Sequence, residues 1–209
     1  MGRLYIFDFD GTLVNTMELW DKITVRFLAG YGIEIDDATF KFFSTQNFNQ
    51  VLSYMLTELK LPESAQSLKA KWYGLALSIF KAEARALPGA VECLERLRSE
   101  GAKLALFTLS PRTLVDMLLT LLGLSDMLDR TFMGGETKEP KTEPSSWLEI
   151  ARAMDATAAE TTVVEDSAYA CRAAKLAGMT TCGVLIDNKN PDELIEICDF
   201  VISDYSQLK

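Results

Sequence analysis

The chain has 209 residues, of which 48% are hydrophobic and 24% charged, and it carries a formal net charge of -9. That length supports one good core plus a small second domain, and the composition is ordinary for a globular enzyme. The negative charge argues against a nucleic-acid binder, which needs a positive footprint; it also means that a phosphorylated ligand must be won locally, by a cation and a few directed donors.

Taken in chain order, Leu4 to Phe9 is a short apolar run bounded by Gly11 and reads as a buried strand. The pattern then changes. Trp20, Ile23, Phe27 and Tyr31 recur at helical spacing, as do Phe48, Val51, Leu52, Met55, Leu56 and Leu59, and then Leu68, Trp72, Leu75 and Ile79. Residues 15–84 therefore read as all helix, with Trp20, Trp72 and the stretch near Phe42-Phe43 as their core. After Leu87-Pro88-Gly89, strands and helices alternate. Strands are expected at Lys103–Leu109, Thr131–Met133, Thr161–Val164, Thr181–Ile186 and Phe200–Ile202, with helices between them closed by Gly101, Gly123 and Gly178. Such alternation predicts an α/β fold, a Rossmann-like parallel sheet covered by helices on both faces. Residues 1–14 and 85–209 would form this core, interrupted by an all-helical insert over 15–84.

No window is long and apolar enough to span a bilayer. Arg3 is followed at once by Leu4-Tyr5-Ile6-Phe7 and two aspartates, which is no signal peptide, so a cytoplasmic location is expected. Cys93, Cys171, Cys182 and Cys198 have no C-x-x-C spacing and read as reduced, buried thiols. The chain has 0 histidines, which removes Ser-His and Cys-His chemistry and leaves acid–base work to carboxylates, lysine or tyrosine.

In parallel sheets of this kind ligands bind beyond the carboxyl ends of the strands. The first strand ends in Asp8-Phe9-Asp10-Gly11-Thr12, and alternation along a strand would project Asp8 and Asp10 to the same side. Two such carboxylates repel unless a cation or proton intervenes. A hard divalent ion with oxygen ligands is the natural partner, and magnesium suits a phosphate reaction. The strand from Lys103 ends in Thr108-Leu109-Ser110, and the strand from Thr161 in Glu165-Asp166-Ser167. Between them lies Lys138-Glu139-Pro140-Lys141, with two cations.

These four segments, in this order, resemble the motifs of the haloacid dehalogenase-like hydrolase superfamily, in its phosphatase form with a helical cap of the first type, similar to phosphoglycolate phosphatases and beta-phosphoglucomutases. Asp8-Phe9-Asp10-Gly11-Thr12-Leu13 resembles the first motif, Thr108 the second, Lys141-Thr142-Glu143-Pro144 the third, and Val163-Val164-Glu165-Asp166-Ser167 with Ala173-Ala174-Lys175-Leu176-Ala177-Gly178-Met179 the fourth. The resemblance implies a Mg2+-dependent phosphatase acting on a small phosphorylated metabolite, with no nucleic-acid or membrane partner, as a monomer or weak homodimer. Asp8 would be the nucleophile that forms an aspartyl-phosphate, and Asp10 the general acid and then base. Asp8, Asp10 (through its backbone carbonyl) and Asp166 would hold the metal, with Glu165 either behind it or structural. Lys141 and Thr108 would meet the phosphoryl oxygens; Lys138 is the rival cation, and Ser110 is expected to cap the helix that follows.

The departures from the pattern are Leu109 for a frequent Asn, Thr142 for Pro, Asn15 for Asp, and Tyr169 where small residues are usual. Leu109 and Tyr169 would reshape the pocket, which makes Leu109 a substrate-contact candidate. In the insert, the polar run Ser44-Thr45-Gln46-Asn47 offers Thr45, Gln46 and Asn47 for substrate contact, although Asn47 serves equally as a helix cap. No arginine lies in that run and Lys41 is the nearest cation, which disfavours a second phosphate site and with it the phosphomutase alternative. Asp10 disfavours a dehalogenase, and nothing marks Lys22 or Lys41 as the Schiff-base lysine of a phosphonate hydrolase. The remaining alternative is a non-catalytic phosphate-binding regulator, which the retained Asp8, Asp10, Thr108, Lys141 and Asp166 oppose.

Overall fold

The computed structural model describes residues 3–36, 39–40, 43, 48–186, 188 and 191–209. In chain order its elements are β1 (Leu4–Phe7), α1 (Thr16–Ala29), α2 (Phe48–Thr57), α3 (Ala65–Glu83), α4 (Ala90–Ser99), β2 (Lys103–Thr108), α5 (Arg112–Leu121), β3 (Arg130–Met133), α6 (Pro144–Ala153), β4 (Thr161–Glu165), α7 (Ala168–Leu176), β5 (Thr180–Val184), α8 (Pro191–Ile197) and β6 (Phe200–Ile202). The chain divides into two compact units, Met1–Asn15 with Arg85–Lys209, and Thr16–Ala84.

In the first unit the six strands lie in the order β3-β2-β1-β4-β5-β6, every pairing parallel. Tyr5 stands opposite Leu104 on one side and Thr162 on the other. The chain thus builds outward from β1 in one direction, then returns past it to build the other half. The two halves diverge beside β1, at the topological switch point where such sheets hold their ligands.

All four residues of β1 are buried, as a strand covered on both faces requires. Leu4 and Ile6 point to one face, into a cluster with Phe107, Trp147, Ile150, Val163 and Ala174. Tyr5 and Phe7 point to the other, their rings stacked at 6.3 Å. Each large apolar side chain so buried stabilises the fold by about 1.5–3 kcal/mol. Strand pairing of β1 stops at Phe7, short of the expected Phe9, because the chain then folds on itself: the Phe9 carbonyl accepts the amides of Leu13 and Val14, both at 3.0 Å, and Gly11 takes a positive φ of 76°. Gly11 suits that left-handed position because it has no Cβ to clash. β5 is also shorter than expected, ending at Val184. All four cysteines are buried and free.

In the second unit the helices described along their whole length are α1, α2 and α3. Their apolar faces meet around Trp72, whose ring lies 5.0 Å from Phe27 and 5.6 Å from Phe48. Trp20 is only half-buried and meets Phe80 edge-on at 4.8 Å. Lys22 is paired at the surface with Glu83 at 2.5 Å. Lys41, Phe42, Ser44, Thr45, Gln46 and Asn47 lie outside the described residues.

Candidate active site

Asp8 extends the ladder one residue past β1, its amide donating to the Val164 carbonyl at 2.9 Å. This backbone bond fixes Asp8 at the mouth of the sheet with its side chain buried. Two residues later Asp10 has left the strand. Its neighbour across the turn is Val14, so strand alternation is not what aims its carboxylate. The two aspartates instead face different partners.

Asp8 faces Lys141. The lysine is buried, its ammonium bonded to an Asp8 oxygen, to the Phe107 carbonyl at 2.8 Å, and ion-paired with Glu165 at 2.6 Å. Several groups carry Lys141 to that position. Pro144 opens α6 at its first turn, where a missing amide costs nothing. Ser146 turns its hydroxyl back onto the carbonyls of Glu139 and Pro140 at 2.6 and 2.8 Å. Trp147 donates its indole N–H to the Lys141 carbonyl at 3.0 Å. The ammonium also lies over the rings of Phe107 and Trp147, at 5.3 and 5.6 Å, where their negative faces favour a cation. Lys138 is exposed, its amide bonded to Glu149 at 3.1 Å, so the choice between the two lysines falls to Lys141.

Glu165 ends β4 fully buried. One of its oxygens accepts the amides of Asp166 and Ser167 at 3.1 and 3.0 Å; the other, Oε2, faces Lys141 but has no aligned hydrogen bond. Carboxylate oxygens of Asp8, Glu165 and Asp166 come within 4.8 Å of one another. Burial and Glu165 push the Asp8 carboxyl from its ordinary 3.8 up to about 8, against the opposing pull of Lys141. Burial, then the charges of Glu165 and Asp8, raise Asp166 well above its usual range. Burial acts to lower Lys141, but Asp8 and Glu165 outweigh it and hold the ammonium charged. One lysine thus stands against three close carboxylates. The oxygen-only donor set and the excess negative charge fit a hard divalent cation.

Asp10 faces the end of β2. Its Oδ2 accepts the hydroxyl of Ser110 at 2.6 Å and that of Thr108 at 3.3 Å, while the Ser110 amide donates to Thr108 Oγ1 at 3.0 Å. This corrects the expected role of Ser110. The cap position of α5 is Pro111, which has no side-chain cap bond, and the serine hydroxyl is spent on Asp10 instead. The capping expectation failed because a serine before a helix has two uses, and only the register of β2 against β1 decides between them. The Asp10 carboxylate is not in the three-carboxylate cluster.

Leu109 is 56% exposed and Tyr169 44%, on segments that follow β2 and β4, to either side of β1. Leu109 lies against Gly134, where an added Cβ would come within 2.7 Å of its Cδ2. The Tyr169 phenol is pushed up to about 12 by burial and by Glu165, so it stays neutral. Sequence reasoning gave no role to Trp147 at the Lys141 loop, nor to Asn188, whose amide holds the Asp166 carbonyl at 2.8 Å. Neither residue sits in a motif. Thr45, Gln46 and Asn47 fall outside the described residues, so their substrate contact stays an expectation.

Comparison with known proteins points to one family. The family described as haloacid dehalogenase-like hydrolase matches residues 5–184. A phosphorylated carbohydrates phosphatase of Thermotoga maritima is 26% identical over 83% of this chain and 81% of its own. Hexitol phosphatase B of Escherichia coli K12 is 23% identical over 97% of this chain and 92% of its own. A solved structure from Thermotoga maritima, provisionally described as a beta-phosphoglucomutase, superposes with a TM-score of 0.84 at 25% identity, over 96% of this chain and 94% of that one.

Proposed function

The chain belongs to the haloacid dehalogenase-like hydrolase family, and from that premise we propose that it hydrolyses a small phosphomonoester in two steps through an aspartyl-phosphate on Asp8. The observation that carries this reading is the buried Asp8 carboxylate, bonded to Lys141 and grouped with Glu165 and Asp166.

In the first step an Asp8 oxygen attacks phosphorus, the bond from phosphorus to the leaving oxygen breaks, and Asp10 gives that oxygen its proton. In the second, Asp10 takes a proton from water as the water attacks the aspartyl-phosphate, which returns Asp8 and releases phosphate. Lys141 would offset charge on the phosphoryl oxygens and pulls the Asp8 carboxyl toward its ionised form. Thr108 and Ser110 orient Asp10. Glu165 acts through Lys141, fixing its ammonium. Asp8, Asp166 and the Asp10 carbonyl would hold a divalent cation, taken here as magnesium, which would supply positive charge to the transferring phosphoryl group.

The names of the relatives, a phosphorylated carbohydrates phosphatase and a hexitol phosphatase, support a phosphorylated sugar or polyol as the substrate. Residues 16–84 would act as the cap that selects it, in a cytoplasmic monomer or weak homodimer. A phosphomutase is the second reading, favoured by the likeness to the provisionally described mutase. The test is turnover of p-nitrophenyl phosphate with magnesium, with EDTA, and by Asp8→Asn. Metal-dependent release of phosphate that Asp8→Asn abolishes supports the reading; activity that survives Asp8→Asn removes Asp8 as nucleophile. Isomerisation of a sugar phosphate without net phosphate release would favour the mutase.

A further inference from the structure

The turn that carries Asp10 is tied to a residue near the far end of the chain. Within the turn, the Gly11 amide bonds to the Val14 carbonyl at 2.8 Å. The Leu13 carbonyl accepts the Leu87 amide at 2.9 Å. The Thr12 carbonyl accepts the hydroxyl of Tyr205. Thr12 is fully buried and its own hydroxyl has no partner among the described residues, so the phenol is the polar group that anchors this residue from outside the turn.

Tyr205 is itself held with little freedom. It is 1% exposed and opens a one-turn 3-10 helix, Tyr205–Gln207, capped by Asp204, which accepts the Ser206 amide at 2.7 Å. Its Cβ presses on Gly89, where an added methyl would approach to 3.2 Å. Beyond it, the Leu208 carbonyl accepts Arg96 and the Lys209 carbonyl accepts Tyr5 at 2.8 Å. Burial raises the phenol far above its usual value, so it remains a neutral donor. An unpaired buried carbonyl is costly, so this bond holds the turn in one place.

On the reading that Asp10 is the acid–base of a phosphatase, we propose that Tyr205 is a positioning residue for Asp10, acting through the Thr12 carbonyl. Asp10 lies two residues before Thr12, and proton transfer demands hydrogen-bond reach to the leaving oxygen. A turn released at Thr12 moves Asp10 while leaving Asp8 on its own backbone bond to Val164.

The test compares p-nitrophenyl phosphate with phenyl phosphate, two substrates of similar shape. The first leaves without much help from an acid, the second needs one. Tyr205→Phe keeps the ring and removes the donor. The ratio of phenyl to p-nitrophenyl turnover, taken in one preparation, is independent of the folded fraction. We expect that ratio to fall about tenfold in Tyr205→Phe, in the direction of a larger fall in Asp10→Asn. Gly89→Ala, which sets a new Cβ 3.2 Å from the Tyr205 Cβ at a backbone φ of 80°, shifts the residue that carries the phenol and should lower it too. A ratio equal to wild type in both variants overturns the proposal. Wild type that turns over neither substrate, or an Asp10→Asn ratio unchanged from wild type, would instead sink the underlying reading of the site, and this inference with it.

Discussion

The ammonium of Lys141 lies 2.6 Å from Glu165, with both side chains buried, so the lysine that meets Asp8 is also locked from behind. Removing one partner of a buried pair strands the other charge and typically costs about 3–5 kcal/mol. Lys141→Ala strands two carboxylates. Its activity should fall by about 10²–10³, the loss of one directed charge at a developing anion. Its melting temperature should fall as well, by roughly 10 °C at about 2–4 °C per kcal/mol. Glu165→Gln should behave differently. Its amide oxygen can still accept from Asp166 and Ser167, but its NH2 then faces the Lys141 ammonium donor to donor, so it should lose some stability but less than Lys141→Ala, while the displaced lysine costs about 10–100-fold in activity. Steady-state kinetics and thermal melts on both variants check this; equal destabilisation in the two would refute the division of roles.

Ser110 gives a sharper discrimination. If it served as a helix cap, Ser110→Ala would cost about 1 kcal/mol of stability and leave turnover alone. Because its hydroxyl instead sits 2.6 Å from Asp10, the group that loses its partner is the proposed acid–base. Misplacing a catalytic group costs rate steeply, so kcat should fall about tenfold whatever the change in stability. Turnover at saturating substrate, measured beside a melting curve, decides between the two.

Much of this site could be read from the chain because the family's motifs coincide with strand ends. Asp8, Thr108 and Glu165 each sit where an apolar run stops, and the alternation of strands and helices implied that those ends converge. Lys141 could be told from Lys138 only by the proline three residues on, and the structure gives the reason: Pro144 starts the helix whose Trp147 fixes the lysine's carbonyl. Ser110 and Tyr205 were illegible for a common reason. Their partners, Asp10 and Thr12, are remote in sequence, and which carbonyl or carboxylate a hydroxyl meets depends on register and on side-chain packing that no local pattern encodes. For Asp10 the alternation argument does not apply, since the strand had ended before it.

Asp8→Asn should separate function from stability. The amide cannot act as the nucleophile, so turnover should drop to background. The same change removes a buried charge that Glu165 and Asp10 both disfavour. In EDTA at pH 8 the variant should therefore melt above wild type, as expected where a catalytic group is held at a cost to the fold. Differential scanning calorimetry of the two metal-free proteins checks it, and a variant that melts lower would show that the Lys141 pair outweighs the repulsion.

Metal and proton should compete for the same oxygens, and the sign follows from Asp8. Its carboxyl rises from 3.8 to about 8 on folding, so the metal-free folded state holds this proton more tightly than the unfolded chain does. The stability contributed is complete below about pH 4 and is lost as pH climbs through 8. A divalent cation binds the ionised site and so reverses the loss. The gain in melting temperature from a fixed magnesium concentration should accordingly be small at pH 6 and larger at pH 8.5, rising as the site's affinity rises. Asp166, raised in the same direction, adds to the effect. The comparison with Asp8→Asn isolates this carboxyl. In that variant the magnesium gain should be smaller at both pH values and flatter between them. A gain in wild type that does not depend on pH would place the cation away from Asp8.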